Sequence, residues 1–336
     1  MDWSDYEVDG QLSIFDLTME EFKITKPIRL IELFAGVGSQ AMALRDLGAD
    51  FEHYRVVEFD KYAIASYNAI HGTDFPTMDI TQISGSDLGI VDTDKYCYIM
   101  TYSFPCQDLS VAGKQAGMTK GSGTRSGLLW EVERLLNEVE NLPKVLLMEN
   151  VPQVHGKKNM EDFQRWIQFL ESKGYSNYWQ DLNAKNYGVA QNRNRCFMVS
   201  ILGNYKYEFP KPIELTKRMK DYLEDEVDEK YYINSEKAQK LIDTLIENGT
   251  LAQPQQGKIG YIEKGTGEHQ TNQVFGKDGL SPCIDACQYK QPYKVCVDLS
   301  ANEPGKKSVS NCITAREDRG ISNHRAEGNG VIEWKQ

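Results

Sequence analysis

The sequence predicts a doubly wound α/β fold, because short apolar strands alternate with helices through about the first 200 residues. Runs such as IRLIELF, CYIMTYS and KVLLMEN are apolar over most of their length, which is typical of parallel strands covered on both faces. Helical patterns between such runs end at glycines, for example Gly48 and Gly174. We therefore expect a mostly parallel sheet with helices on both faces.

The predicted elements follow one another in a regular order. Strands are expected at 28–34, 54–60, 97–103, 144–150, 175–183 and 195–203, and helices at 40–48, 61–72, 128–140 and 160–174. The last two strands are expected to form a hairpin-like pair at the sheet edge. A glycine-rich loop ending at Gly127 separates the third strand from the third helix.

Changes in composition divide the chain into three predicted parts. Residues 1–26 form a polar N-terminal arm, 27–206 a catalytic and cofactor-binding domain, and 207–336 a smaller, irregular, β-rich domain. From about residue 230 the chain is polar and turn-rich, with short β-like pieces. A weak repeat, SPCIDA and SNCITA, suggests two related hairpins there.

The composition excludes several classes of protein. A hydrophobic fraction of 40% fits an ordinary globular chain, and no apolar run is long enough to span a membrane. The acidic start, MDWSDYEVDGQ, is unlike a secretory signal. A net charge of −11 argues against a protein coated for nucleic acid, but it leaves room for a local basic groove.

The cysteines favour a reduced, cytoplasmic protein. There are 7 of them, widely spread and without a CxxC pair. Cys283 and Cys287 have helical spacing, but no histidine cluster accompanies them, so we expect no metal site.

The turn FAGVGS follows the first strand and opens the first helix. Gly36 and Gly38 would let a ligand approach the backbone at the helix N-terminus, although many such turns need glycine for geometry alone. Glu58 ends the next strand and could accept both hydroxyls of a ribose. Asp79 could reach the exocyclic amine of an adenine, or it could simply cap a turn.

The nucleotide ligand need not be a dinucleotide or a triphosphate. The turn lacks the GxGxxG pattern, and the chain has no GxxxxGK[ST] loop. An adenosine ligand with a small zwitterionic tail, such as S-adenosylmethionine, fits better.

Cys106, in TYSFPCQDLS, is the strongest candidate for chemistry. It follows an apolar strand, at the position where doubly wound enzymes hold reactive groups, so it could act as a nucleophile. A lone cysteine is otherwise usually an inert, buried side chain. Glu149 ends a second such strand and could donate a hydrogen bond or a proton to a ring nitrogen, or it could be a structural cap.

Two further segments carry candidate binding residues. The glycine-rich loop after Cys106 bears side chains that could hold phosphates: Ser110, Lys114, Lys120 and Arg125. In NYGVAQNRNRCFMV, Arg193 and Arg195 alternate into a strand, so both should point to one face and could hold a carbonyl oxygen or orient Glu149. A solvated edge strand is the alternative.

The ordered blocks ELFAGVGS, VVEFDKYA, SFPCQDLS, MENV and QNRNR resemble the signature blocks of the DNA (cytosine-5)-methyltransferase family, over roughly residues 28–205. The resemblance implies that a cytosine swings out of the duplex and that Cys106 adds to its C6 atom. Glu149 would then act at N3, Arg195 would hold O2, and Arg193 would help to fix that geometry. The implied cofactor pocket is lined by Phe34, Gly36, Gly38, Glu58, Phe59, Asp79, Ile80, Pro105 and Leu128.

The resemblance implies methylation of a specific site in double-stranded DNA, in a restriction–modification system or by a lone phage or bacterial enzyme. The region from about 207 resembles the family's target-recognition domain. Two blocks that usually follow it, an arginine- and proline-containing helix start and a Gly-Asn segment, are not evident. The sequence therefore leaves open a split or truncated member that depends on a second polypeptide, and also a tRNA cytosine methyltransferase.

Overall fold

The computed structural model describes most of the chain and divides it into two compact units. The described residues are 20–109, 116–223, 236–250, 254, 256–262 and 273–283, together with the backbone of 294–298, 307–311 and 332–333. The first unit comprises residues 1–182 and 194–210, and the second comprises 183–193 and 211–336. No helix among the described residues is both long enough and apolar enough to cross a bilayer.

The first unit contains the predicted alternation of strands and helices. Its elements are β1 (Glu20–Glu21), β2 (Ile28–Leu33), α1 (Ser39–Asp46), β3 (Phe51–Val57), α2 (Lys61–His71), β4 (Cys97–Tyr102), α3 (Leu129–Glu138), β5 (Val145–Asn150), α4 (Met160–Ser172), β6 (Tyr175–Asn183), β7 (Asn194–Leu202) and β8 (Tyr205–Lys206).

Six strands form the central sheet in the order β3-β2-β4-β5-β7-β6. Strand β2 pairs in parallel with β3 and β4, and β4 pairs in parallel with β5, whereas β7 runs antiparallel to β5. The predicted mostly parallel α/β sheet is confirmed, and so is the placement of the last two long strands at its edge. Strands β1 and β8 form a separate two-stranded sheet.

Burial explains why these segments adopt their structures. All six residues of β4 are buried, as expected for a central strand whose two faces are covered. Helix α4 buries Phe163, Trp166 and Leu170, which recur at helical spacing on one face. Each such side chain contributes roughly 1.5–3 kcal/mol by leaving water.

The sheet topology decides where a functional site can lie. The carboxyl ends of β2, β3, β4 and β5 meet at one edge, because these strands are parallel neighbours. The segments that follow them are therefore brought together: the glycine turn at 34–38, Glu58, the loop with Cys106, and the residues around Asn150.

The second unit has a helix that the sequence reading missed. Its elements are α5 (Glu236–Glu247), β9 (Lys258–Tyr261), β10 (Gln273–Gly276), β11 (Lys294–Asp298), β12 (Lys307–Asn311) and β13 (Ile332–Glu333). The strands form one sheet in the order β13-β12-β11-β10-β9. The expectation of irregular structure with only β-like pieces from residue 230 is therefore wrong for α5, which buries Ala238, Ile242 and Leu245 against Ile262 and Val274.

The predicted hairpins fall only partly within the described residues. Strand β10 is antiparallel to β9, and β12 is antiparallel to β11, whereas β10 and β11 are parallel. Of the repeat SPCIDA and SNCITA, the structure describes only 281–283 and the backbone of 310–311.

Candidate active site

The turn after β2 contains two glycines with different structural roles. Both have a left-handed backbone, with φ of 57° at Gly36 and 78° at Gly38. A Cβ atom on Gly38 would lie 2.4 Å from His71 Nε2 and 2.5 Å from the Tyr67 ring, so α2 packs directly on this position. A Cβ on Gly36 would meet nothing within 4 Å. Gly36 therefore faces open space where a ligand can approach, whereas Gly38 is required for packing.

Glu58 links the glycine turn to the end of β3. Its Oε2 accepts a hydrogen bond from Gly36 N at 3.0 Å, and its Oε1 accepts one from Asp60 N at 2.9 Å. The residue is only 9% exposed. Each carboxylate oxygen can accept a second hydrogen bond, so the arrangement still allows Glu58 to hold a diol.

The other predicted nucleotide contacts lie beside Glu58. Met78 N donates to Glu58 O at 2.8 Å, which brings the segment before Asp79 and Ile80 to the end of β3. The Phe59 side chain is 72% exposed, whereas Ile80 is buried in the main core.

Asp79 adopts the structural alternative that the sequence left open. Its Oδ1 accepts hydrogen bonds from Thr81 N and Thr81 Oγ1, both at 2.9 Å. Asp79 therefore caps a turn, and its contact with an adenine stays a prediction.

A buried acid lies beneath the glycine turn. Glu32, 1% exposed, accepts hydrogen bonds from Ala41 N at 3.3 Å and from Tyr67 Oη at 2.6 Å. His53 Nδ1 lies 2.7 Å from the same hydroxyl. Burial raises the pKa of Glu32 to about 7, although both hydrogen bonds oppose the shift. The first turn of α1 thus rests on a group that titrates near neutral pH.

The segment carrying Cys106 is held by contacts from two sides. Asn150 Nδ2 donates to Phe104 O at 2.9 Å, and Ser126 Oγ donates to Pro105 O at 2.6 Å. Cys106 is half-buried and packs against the main core, as does Leu128. The Cys106 segment and the end of β5, which carries Glu149, are therefore tied together.

Asp108 fastens the far end of the glycine-rich loop back to this segment. Its Oδ2 accepts from Arg125 N at 2.8 Å and from Ser126 N at 3.4 Å. The Arg125 guanidinium also donates to Gln107 Oε1. Sequence reasoning missed Asp108, Ser126 and Asn150, because a hydrogen bond across 17 or more residues leaves no local pattern.

Glu149 and Arg195 form an ion pair at the same edge of the sheet. Arg195 Nε lies 3.0 Å from Glu149 Oε1, and the two side chains are 15% and 19% exposed. The antiparallel pairing of β5 with β7, with Glu149 opposite Phe197, places Arg195 near the carboxylate. The predicted contact between these two residues is therefore present.

Arg193 does not share a strand face with Arg195, so that prediction is wrong. Strand β7 begins at Asn194, and the alternation of side chains applies only within a strand. Arg193 belongs to the second unit, where its guanidinium donates to Cys283 Sγ at 3.6 Å. The resemblance implied a role for Arg193 in fixing the geometry around the reacting base, and that role stays a prediction.

The predicted DNA contacts are only partly described. Ser110 and Lys114 lie outside the described residues, whereas Arg125 is exposed. Lys120, on the same loop, pairs with Glu133 at 2.8 Å.

Sequence comparisons identify the type of protein that this chain resembles. The sequence model of a family described as C-5 cytosine-specific DNA methylase matches residues 28–324. Type II methyltransferase M2.ScrFI of Lactococcus lactis subsp. cremoris is 35% identical over 256 residues, which cover 62% of this chain and 71% of that protein. Orphan methyltransferase M.SssI of Spiroplasma monobiae is 36% identical over 265 residues, which cover 63% and 68%.

Solved structures agree on the fold. The Dnmt2 methyltransferase of S. pombe superposes with a TM-score of 0.57 at 23% identity, covering 82% of this chain and 78% of that one. The Entamoeba histolytica methyltransferase EhMeth gives 0.59 at 18% identity, covering 87% and 79%. The family match continues to residue 324, through the region in which the two closing blocks were not evident. The comparisons therefore give no support to a second polypeptide.

Proposed function

Since this chain belongs to the C-5 cytosine-specific DNA methylase family, we propose that it transfers a methyl group from S-adenosylmethionine to C5 of a cytosine in double-stranded DNA. The observation that carries the proposal is the Glu149–Arg195 ion pair, held at the same edge of the sheet as the Cys106 segment. We further propose that the reaction passes through a covalent adduct of Cys106.

The first half of the site fits an adenosyl ligand. Open space in front of Gly36 allows close approach to the backbone at the start of α1. Glu58 would hold the ribose hydroxyls, and the exposed ring of Phe59 would contact the adenine. Asp79 and Ile80, Phe34 and the other predicted lining residues would complete the pocket. When bound, S-adenosylmethionine supplies an electrophilic methyl group.

The residues around Cys106 would act on the cytosine ring. Cys106 Sγ would form a bond to C6, which moves electron density toward C5, N3 and O2. Glu149 would stabilise the ring at N3, and Arg195 would hold O2, so the developing negative charge lies between fixed partners. C5 would then take the methyl group of the cofactor and leave S-adenosylhomocysteine. Removal of the C5 proton by a base would restore the C5–C6 double bond and release Cys106. A cytosine stacked in a duplex cannot reach Cys106, so the base must leave the helix.

DNA binding would involve both units. We propose that Ser110, Lys114 and Arg125 hold phosphates near the extruded base, because such contacts position a protein without reading sequence. We assign target recognition to the region 207–336. The bacterial relatives suggest action inside a bacterial or phage-infected cell, in a restriction–modification system or as a lone enzyme.

The proposal is tested by incubating the purified full chain with radiolabelled S-adenosylmethionine and duplex DNA. Transfer of label to cytosine C5 is expected, and Cys106→Ala should abolish it. The control is Cys97→Ala, which removes a buried thiol from β4 and should leave transfer unchanged. Transfer to tRNA instead of DNA, or transfer that requires a second polypeptide, would contradict the proposal.

A further inference from the structure

Three potential metal ligands come together outside the proposed reaction site. His155 lies in the turn after β5, Asp181 on β6 and Cys196 on β7. One ligand atom from each residue lies within 4.8 Å of the other two. The proposed methyl transfer uses none of them. Among the described residues, this is the group in which imidazole, carboxylate and thiol converge.

The three side chains form a chemically selective set. One nitrogen, one oxygen and one sulfur ligand suit a borderline-soft dication such as zinc, whereas magnesium and calcium prefer oxygen alone. In a tetrahedral zinc site the ligand atoms lie roughly 3.5 Å apart, given bonds of about 2.0–2.3 Å. His155 Nε2 and Asp181 Oδ1 are already 2.9 Å apart. Because the three ligand atoms already lie within 4.8 Å of one another, side-chain adjustments can bring them to the spacing that zinc requires.

Burial also favours a cation at this place. Cys196 is fully buried, whereas the side chains of His155 and Asp181 are 20% and 32% exposed, so an ion can enter from their side. The Asp181 carboxylate supplies a negative charge within the cluster.

The aromatic surroundings limit the motion of the histidine. Its ring lies 4.7 Å from that of Trp179 and 6.1 Å from that of Phe163. A restrained imidazole loses less conformational freedom on binding a metal. Trp179 also provides a fluorescent reporter beside the cluster.

We propose that His155, Asp181 and Cys196 bind one zinc-type divalent cation, with solvent as the fourth ligand. Binding forms a metal–sulfur bond and releases the thiol proton to solvent. The ion connects the turn after β5 to β6 and β7, and so braces the strands that carry Glu149 and Arg195.

The test uses the full chain after removal of metal by a chelator. Zinc and cobalt(II) are each added, followed by gel filtration and elemental analysis. Cobalt binding is also followed by thiolate charge-transfer absorption and by total tryptophan fluorescence. All variants carry Cys106→Ala, which removes the reactive thiol as a competing ligand. One ion per chain, with a thiolate band and a raised melting temperature, is expected.

Matched variants separate the cluster from other thiols. Cys196→Ala should abolish the band, whereas Cys97→Ala should retain it, because Cys97 is a buried thiol on β4 outside the cluster. If Cys196→Ala does not fold, the test uses Asp181→Asn, which changes a part-exposed residue. This variant must bind cobalt at least about tenfold more weakly, because even the loss of a residue that only hydrogen-bonds to a metal ligand typically has an effect of that size. No uptake by the parent chain, or uptake that survives Cys196→Ala or Asp181→Asn, overturns the proposal.

Discussion

The two halves of the candidate site are built in different ways, although both lie at the carboxyl ends of the same sheet. Around Gly36 and Glu58, backbone N–H groups and close packing fix the geometry. Around Cys106, side chains from distant segments do so, through the Glu149–Arg195 ion pair and the contacts of Asp108. Because backbone contacts fix the region around Gly36 and Glu58, mutations around Cys106 should leave cofactor binding unchanged. Cofactor binding and the reaction at the base should therefore be separable by mutation.

The largest effect on kcat is expected from Glu149→Gln, in the part of the site around Cys106. This change removes the charge that pairs with Arg195, and loss of a group acting on the reacting ring typically lowers kcat by about 10²–10⁴-fold. Affinity for S-adenosylmethionine should stay unchanged when measured by calorimetry.

The control for Glu149→Gln is Glu161→Gln, which breaks an exposed pair with Arg165 at 2.6 Å on the surface of α4. It should leave kcat unchanged. Equal losses in the two variants, or lost cofactor binding in Glu149→Gln alone, would show that the two halves are not independent.

The two glycines of the turn provide a second comparison. Gly38→Ala places a methyl group against His71 and Tyr67 and should destabilise the fold by about 2–4 kcal/mol, from overpacking and a left-handed backbone. Gly36→Ala adds its methyl group in open space and should cost only about 1–2 kcal/mol, from the backbone alone.

Cofactor affinity distinguishes these variants further. Gly36→Ala should weaken S-adenosylmethionine binding by about tenfold or more, which corresponds to about 1.4 kcal/mol. Urea denaturation gives the stabilities, and calorimetry gives the affinities. Similar stabilities for the two variants would contradict the assignment of Gly38 to packing and Gly36 to the ligand.

Glu32, the buried acid beneath the glycine turn, should make the stability of the fold depend on pH. Burial raises the pKa of Glu32 from 4.5 to about 7, so the folded state binds a proton that the unfolded state releases. Stability should therefore fall as pH rises from about 5 to about 8, by up to about 3 kcal/mol.

Glu32→Gln removes this titration. Its Oε1 can still accept from Ala41 N, while its Nε2 donates to Tyr67 Oη at the place of the oxygen that accepted from that hydroxyl. As pH rises, the denaturation midpoint of wild type should fall relative to that of the Glu32→Gln variant. A constant difference across this range would show that Glu32 does not titrate there.

The smallest effect on kcat is expected at Asp108, which anchors the end of the glycine-rich loop to the Cys106 segment. Asp108→Ala removes the acceptor for Arg125 N and Ser126 N, and a lost charged hydrogen bond costs about 1.5–3 kcal/mol, part of which the loop can recover by rearranging. We expect kcat to fall by about tenfold with cofactor affinity unchanged. Asp46→Ala, at an exposed position at the end of α1, is the control. Unchanged kcat in Asp108→Ala would show that the anchor does not position Cys106.

The sequence predicted the first unit well because its signals are local. Apolar runs, helical periodicity and glycine stops reflect burial of each element, so the strands and helices were found near their observed positions. The helix α5 was missed although Ala238, Leu241, Ile242 and Leu245 show helical spacing, because the polar composition around it suggested irregular structure.

The candidate site was less predictable where contacts are long-range. A contact of Arg195 with Glu149 was expected from the alternation of the two arginines into a strand, and it is present. A face shared with Arg193 would require that strand to include residue 193, whereas β7 begins at Asn194. The packing role of Gly38 depends on α2, and the ties made by Asp108 and Asn150 cross the sheet edge. None of these contacts leaves a pattern in neighbouring residues.

The central claim is that the sulfur of Cys106 bonds to an extruded cytosine. It is tested most directly with duplex DNA that carries 5-fluorocytosine at the methylated position, because fluorine cannot leave as a proton does. In the presence of S-adenosylmethionine, wild-type protein should give a covalent complex that survives denaturation, and mass spectrometry should locate the bond at Cys106. A complex of equal yield with Cys106→Ser, or a bond at another residue, would contradict the account.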